Sequence, residues 1–397
     1  MLAVVLVVTA GAPAAQPPRL SGEATVSLLT MLPGDEVYSL FGHSAIRIRD
    51  PLTGFDVAYN YGTFNFEQPG FVVRFARGRL DYILDTAPYS YEVDRYRHLQ
   101  RPIIEQRLDL DSATVGALFS RLEINALPEN RAYRYRFFHD NCSTRLLEII
   151  DIALSDAGRP ALALPGRSET ESFRDLIRPY GAGTPLLWTG MSAGLGIPAD
   201  SVASTRQRSF LPLELMRLAD AITVEGRSLV ASRDTVFWIP GAGTAPPAFP
   251  WPTILGWAIC VAVGVATAIA WRTPRRYETA LRRLDVTLLA VAGVVGVVLG
   301  LLWLATEHGV TGPNLHLIWA WPTHVAAAVA IARRRRWRPY LLGAGAVALV
   351  AAAGWPFWPQ GMPAALLPFA ILVAVRCLAR GAAPAVPDAV GPPTALP

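Results

Sequence analysis

The sequence predicts an α+β soluble domain followed by an all-α transmembrane bundle, and three observations carry that expectation. Residues 20–245 hold most of the charge and mix strand-like alternation with helical periodicity, as globular sequences do. Residues 250–380 are instead largely Ala, Val, Leu, Ile, Gly and Trp, in five apolar stretches at about 252–271, 286–305, 315–332, 340–357 and 364–380. Most of these are about 17 to 20 residues long, enough to cross a bilayer once their flanks are counted. The third observation is where arginine falls between them. Arg272, Arg275, Arg276, Arg282 and Arg283 lie in one loop, Arg333, Arg334, Arg335, Arg336 and Arg338 in another, and Arg376 and Arg380 at the C-terminal end. The alternate loops, 306–314 and 355–363, contain none. Cytoplasmic loops carry the excess of positive charge, so the C-terminus is expected in the cytoplasm, the N-terminal domain outside the inner membrane, and the number of spans odd.

The N-terminal 15 residues form a short apolar run ending in small residues, which reads as a signal peptide cleaved near Ala14 or Ala15. It lacks a positive n-region and is too short for a spanning anchor. A Pro/Ala linker at 241–250 separates the soluble and membrane domains, and residues 381–397 are expected to be a disordered cytoplasmic tail. The net charge of +5 comes from arginine alone among basic side chains, and it is concentrated in short loops between apolar runs. That pattern is one of membrane topology, and it excludes a nucleic-acid face.

Within the soluble domain, residues 23–31 read as a first strand and Gly34-Asp35 as a turn. A second strand covers 43–50, with Ile46 and Ile48 on one side and His43, Arg47 and Arg49 on the other. After a turn at 51–55, residues 56–62 form the return strand, and a hairpin would bring Asn60 to Gly62 roughly opposite His43. Residues 71–80 and 82–85 continue a mixed, aromatic-rich, strand-like pattern. A helix is expected over 88–100, a strand over 103–110, and a helix capped by Asp111-Ser112 to about Ala126. Beyond a Pro/Gly linker at 158–170, a short helix covers 173–179, a Gly-rich stretch runs to Gly196, and Phe210-Leu211-Pro212 opens a further helix.

The chemistry centres on the stretch Phe137-Phe138-His139-Asp140-Asn141-Cys142-Ser143-Thr144. Cys142 is the only cysteine outside the apolar C-terminal third, so no internal disulfide is expected. Asp140 or Asn141 is a natural N-cap, and apolar residues at 146, 147, 149, 150, 153 and 154 mark one buried helix face. Cys142 therefore falls in the first turn, where free N–H groups and the helix dipole push a thiol toward thiolate. A buried structural cysteine is the competing reading. His43, on the polar face of its strand, is the candidate base, and Asn60 the candidate orienting group; each also reads as an ordinary strand-end or turn residue. His139 is the rival base, more naturally a solvated loop residue. Arg74, Arg77 and Arg79 suit an anionic headgroup site or a solvated strand face. Glu307, His308, Asn314 and His316 suit a cavity at the outer membrane surface or an interfacial position. There is no CxxC or HExxH zinc pattern and no phosphate-cradling glycine motif, so neither metal nor cofactor is expected.

The order of a histidine strand followed by a cysteine helix resembles the circularly permuted NlpC/P60, papain-like superfamily. More closely, Pro33-Gly34-Asp35, Phe41-Gly42-His43, Tyr59-Asn60-Tyr61-Gly62-Thr63-Phe64, Asp140-Asn141-Cys142-Ser143-Thr144 and Phe210-Leu211-Pro212 resemble the periplasmic domain of Lnb-type lipoprotein N-acyltransferases. The five-span C-terminal part resembles that family's membrane domain, so the likeness covers nearly the whole chain. One departure is local: His316-Leu317-Ile318-Trp319-Ala320-Trp321-Pro322 carries no second Asn before the proline. The resemblance implies a permuted papain-like soluble domain with Cys142 as nucleophile and His43 as base. It also implies transfer of an acyl chain from a phospholipid, through a Cys142 thioester, to the amino group of a diacylglyceryl-cysteine lipoprotein. Two other readings stand beside it. One is a thiol-dependent peptidoglycan amidase or endopeptidase, for which five spans are more membrane than needed. The other is a non-catalytic, membrane-anchored binding module with a structural cysteine.

Overall fold

The computed structural model describes residues 19–63, 70–79, 81–166, 169–243, 245–272, 274–335 and 337–383. The expected signal peptide, Phe64 and residues 384–397 of the expected tail lie outside them. Alternating side chains build β1 (Thr25–Met31), β2 (His43–Asp50) and β3 (Phe55–Thr63). There follow α1 (Phe71–Ala76), β4 (Asp81–Pro88), α2 (Tyr89–His98), β5 (Ile103–Leu108), α3 (Ser112–Ala126), β6 (Ala132–Arg134) and α4 (Cys142–Asp156). Then come α5 (Phe173–Gly181), α6 (Pro185–Gly194), α7 (Pro212–Ala221), the small hairpin β7 (Thr223–Val224) and β8 (Arg227–Ser228), and β9 (Val230–Phe237). Seven of these strands form one antiparallel sheet in the order β6-β4-β3-β2-β1-β5-β9.

The period of two along β2 and β3 sorts their side chains onto two covered faces. On one, Ile46, Ile48, Tyr59 and Tyr61 pack with Leu122 of α3, Leu146 and Ile150 of α4, and Leu215 of α7. On the other, Ala45 and Ala58 meet Val93 and Tyr96 of α2. Full burial of each large aliphatic or aromatic side chain contributes about 1.5–3 kcal/mol, so this two-sided sandwich fixes the β2–β3 register. Ile46 pairs with Tyr59 and Arg47 with Ala58. Continued outward, that register sets residues 60–62 level with the start of β2, as the hairpin reading required.

Some local expectations fail. Residues 71–76 are the helix α1 and not a strand, and the chain turns out of it at Gly78, whose φ of +66° favours glycine. Of the three arginines that suited a headgroup site, Arg74 pairs with Asp81 and Arg79 with Glu307, while the Arg77 side chain is exposed. The Gly-rich stretch after 179 contains a further helix, α6, started by Pro185 at its first position.

In the membrane domain, Trp251–Arg272, Arg276–Leu304 and Ala364–Ala382 are long and apolar enough to cross a bilayer. They correspond to α8 (Trp251–Arg272), α9 (Pro274–Leu304) and α12 (Leu367–Ala382) with its preceding 3-10 turn. Arg338–Ala353 is a shorter apolar helix, α11. The stretch 315–332, expected to be one helix, is broken into a 3-10 turn at Leu315–Ile318 and α10 (His324–Ala332). Side chains stabilise the break. Trp319 Nε1 donates to His316 Nδ1 at 3.1 Å, His324 Nε2 lies 3.1 Å from the Trp319 carbonyl, and Pro322 cannot donate to a continuous helix.

Candidate active site

The chain reverses between Arg136 and Asp140, whose backbones exchange hydrogen bonds of 2.9 and 2.8 Å, and then enters α4. Asn141, one of the two expected caps, holds the helix start. Its Oδ1 accepts from the N–H groups of Ser143 and Thr144 at 2.8 and 3.0 Å, and Thr144 Oγ1 accepts from the Asn141 N–H at 2.8 Å. Asn141 Nδ2 donates to the carbonyls of Phe137 and Phe210, each at 2.8 Å. The Phe210-Leu211-Pro212 motif thus braces the cysteine helix from the far end of the soluble domain. Because the cap takes the N–H groups of Ser143 and Thr144, the first-turn donor beside the sulfur that it leaves unused is that of Cys142 itself.

Cys142 is buried, 9% exposed, with Sγ 3.7 Å from Ser143 Oγ, which in turn donates to Ser44 Oγ at 3.0 Å. The expectation of a thiolate at this helix start does not hold in the free protein. Burial pushes the thiol up and outweighs the lowering by the Ser44, Ser143 and Cys142 N–H groups and the Ser143 hydroxyl. Desolvation of the whole anion is the larger effect when no counter-cation touches it.

His43 lies immediately before Ser44, and Gly62 is level with it on β3. A Cβ on Gly62 would sit 3.4 Å from Cys142 Cβ, so the start of α4 packs against this end of the hairpin and glycine keeps the approach open. His43 Nε2 is 3.2 Å from Asn60 Oδ1. Since that oxygen only accepts, the pairing puts the ring proton on Nε2 and leaves Nδ1 as the accepting nitrogen. The imidazole pKa is lowered to about 4, first by burial and then by the nearby Arg101 guanidinium, with the Asn60 bond opposing. Thiol and imidazole are therefore both neutral at pH 7. His139 stands apart from this arrangement, exposed on the turn with its ring against Phe138 and Phe173.

Four tyrosines, Tyr82, Tyr96, Tyr133 and Tyr135, lie close enough to Cys142 for its charge to raise their pKa values, after burial as the main cause. The sequence assigned no role to these residues or to Ser44 and Ser143. Only the tertiary fold gathers them, and the one local signal is the aromatic run 133–138.

The outer loops of the membrane domain dock beside this site. Glu307 pairs with Arg79 and, at 2.7 Å, with Arg134 of β6. Its N–H donates to the Arg77 carbonyl at 2.8 Å, and His308 Nε2 is 3.1 Å from the Ala76 carbonyl. Asn314 Nδ2 donates to the Ala193 carbonyl and Gln360 Nε2 to that of Leu195, at 2.8 and 3.2 Å. Glu307, His308 and Asn314 are thus docking residues, neither cavity lining nor free interfacial groups, while His316 is buried in the membrane domain against Trp319 and Trp355.

Residues 20–178 match the family model described as the Lnb N-terminal periplasmic domain, and residues 245–382 match the one described as the Lnb transmembrane domain. No curated protein and no solved structure matches the chain.

Proposed function

The chain belongs to the Lnb family and is an inner-membrane lipoprotein N-acyltransferase with a periplasmic N-terminal domain, and from that premise we propose that it works through a Cys142 thioester with a phospholipid as donor. In the first half-reaction Cys142 Sγ attacks an ester carbonyl of the phospholipid as its proton passes to His43. The C–O bond then breaks, and the glyceryl alkoxide takes that proton and leaves as a lysophospholipid. In the second, the α-amino group of a diacylglyceryl-cysteine lipoprotein attacks the thioester. The C–N bond forms, the C–S bond breaks, and His43 moves the amine proton to sulfur. Asn60 fixes the ring tautomer, and the Cys142 N–H donates to the oxyanion.

One observation carries this reading: Cys142 Sγ lies 3.7 Å from Ser143 Oγ, which donates to Ser44 Oγ at the end of the hairpin that holds the His43–Asn60 pair. With both partners neutral, the proton moves during attack and no standing ion pair is needed. The cysteine helix packed on an antiparallel sheet, preceded in the chain by the histidine strand, supports a permuted papain-like, NlpC/P60-type assignment for the domain. The arginine pattern supports five membrane segments with the C-terminus in the cytoplasm.

The test uses the full-length protein in phospholipid vesicles, with mass analysis of Cys142 and of a lipopeptide acceptor. The expected result is an acyl group on Cys142, discharged when the acceptor amine is added, and none on the Cys142→Ser variant. A hydroxyl has nearly the size of a thiol but almost no anion at neutral pH. Normal acceptor acylation by folded Cys142→Ser would sink the thioester, and acyl transfer in vesicles of a non-ester lipid would sink the phospholipid donor. Release of muropeptides from cell-wall fragments would favour a wall hydrolase instead.

A further inference from the structure

Tyr133 Oη is buried and has no hydrogen-bond partner among the described residues. A buried hydroxyl without a partner costs roughly 1–3 kcal/mol, so its place in the fold calls for a reason. The place is informative. A Cβ on Gly62 would lie 3.7 Å from Tyr133 Oη and 3.4 Å from Cys142 Cβ, so the phenol and the base of the cysteine side chain both lie within 4 Å of one point. Glycine leaves that point empty, and its φ of +91° lets the backbone turn away from it. A carbonyl oxygen entering there would meet an O–H on one side and the cysteine on the other.

The surroundings hold the phenol in place and in its neutral form. Tyr133 lies in β6 opposite Tyr82, its ring is edge-on to Tyr61 at 6.0 Å, and the Arg145 guanidinium sits 3.7 Å over its centroid. Arg145 is itself fixed by Asp140, two residues before the cysteine, with Nη2 to Oδ2 at 3.0 Å. The cation on the ring face polarises the O–H toward donation, and burial keeps the proton on oxygen at neutral pH. The neighbouring Tyr61 differs: its hydroxyl accepts from Asn125 Nδ2 at 2.8 Å and is already used.

We propose that Tyr133 is a catalytic residue whose phenol donates a hydrogen bond to the carbonyl oxygen of the acyl group under attack by Cys142. This deepens the thioester reading and rests on it. No proton is transferred from Tyr133. As Sγ bonds to the carbonyl carbon, the π electron pair moves onto oxygen and is held there by the phenol O–H and the Cys142 N–H. The pair returns when the C–O bond breaks in the first step, or the C–S bond in the second. Both half-reactions pass through such an oxyanion, so the same donor serves both.

The experiment is Tyr133→Phe in the full-length protein, with Tyr61→Phe as the control. Single-turnover formation of the Cys142 thioester, its discharge to a lipopeptide amine, and the melting temperature are read together. Loss of one oxyanion donor is expected to slow both steps by about 10²–10³-fold. Tyr133→Phe should melt no lower than the parent, because it removes an orphaned hydroxyl and keeps the ring. Tyr61→Phe should melt lower, because it leaves the Asn125 amide unpaired, yet acylate Cys142 within about threefold of the parent rate. Thioester formation by Tyr133→Phe at the parent rate overturns the proposal while leaving the thioester itself intact. A slowdown matched by an equal loss of folded protein also overturns it, by making Tyr133 structural. Absence of any thioester in the parent protein is a different failure, that of the mechanism beneath it.

Discussion

Two buried polar arrangements in this molecule are built on opposite principles. Arg174 of α5, with a side chain 2% exposed, has every N–H direction answered. Nε donates to Asp200 Oδ1 at 2.8 Å, Nη1 to the Ser192 carbonyl and hydroxyl, and Nη2 to Asp200 Oδ2 and the carbonyls of Leu195 and Gly196. Asp200 also accepts from the Gly361 N–H at 2.9 Å, which ties this node to an outer loop of the membrane domain. At the end of the β2–β3 hairpin and the start of α4, by contrast, a phenol has no partner, and burial opposes charge on the thiol and on the imidazole. The first arrangement has no donor left over and can only hold the chain together. The second keeps donors and acceptors in reserve, which costs stability and gives a reacting group something to bind.

The largest effect expected from this contrast is at His43. His43→Ala should lower acyl transfer by about 10²–10⁴-fold, the usual contribution of a positioned acid–base group, whereas His139→Ala should stay within a few fold. A dead His139→Ala with an active His43→Ala would reverse the assignment of the base. The pH profile sharpens the test. A base with a pKa near 4 stays neutral through the mildly acid range, so kcat/KM should hold from pH 7 to about 5 and fall only near 4. A half-loss near pH 6.5 would mean that the imidazole keeps its ordinary pKa in the folded protein. Stability follows with its own sign. The unfolded chain binds a proton at about 6.5 and the folded one at about 4, so stability present above pH 6.5 is lost progressively as the pH falls toward 4.

Next in size is Arg174→Met, which should cost about 3–5 kcal/mol of stability, because it strands a partly buried Asp200 and several carbonyls. Activity per folded molecule should be nearly unchanged. That is the converse of Tyr133→Phe, and thermal melts of the two variants side by side check it. An Arg174→Met protein that melts like the parent would mean that the node does not hold the periplasmic domain to the outer loops.

Much of this was legible in the sequence wherever one physical rule governs a local stretch. The alternation of Ile46 and Ile48 with Arg47 gave β2 its bounds, and an Asx cap with six apolar positions gave α4. What resisted was set by competing or distant effects. Six residues at 71–76 are too few for a helical period to stand out from an apolar strand. Hydropathy over 315–332 sees composition and cannot see that Trp319, His316 and His324 bond to one another and break the segment. At Cys142 the local rule, a helix start favouring an anion, was correct in sign but lost to burial, a property of the whole fold. Glu307 and Asn314 read as interfacial residues because their partners, Arg134 and Ala193, lie far away along the chain.

The smallest effect expected is at that last contact, and it tests whether the docking itself is a second rigid node like Arg174. Glu307 and its arginines are all half-exposed, so water and salt screen the pairs, and their geometry counts for little in stability. Glu307→Gln should therefore melt close to the parent. It does, however, sit between Arg134 of β6, next in the chain to Tyr133, and the end of α9. Loosening it should slow transfer by a few fold through misplacement of β6, and high salt should mimic the variant in the parent protein. Arg79 and Arg134 hold the Glu307 carboxyl below its usual range, so this contribution is complete at neutral pH and fades only as the pH falls below about 4.5. The measurement is the acyl-transfer rate of both proteins across salt and pH. A Glu307→Gln protein as destabilised as Arg174→Met would make the outer loop a structural node, and one that transfers at the full parent rate in low salt would detach β6 from the membrane domain's influence.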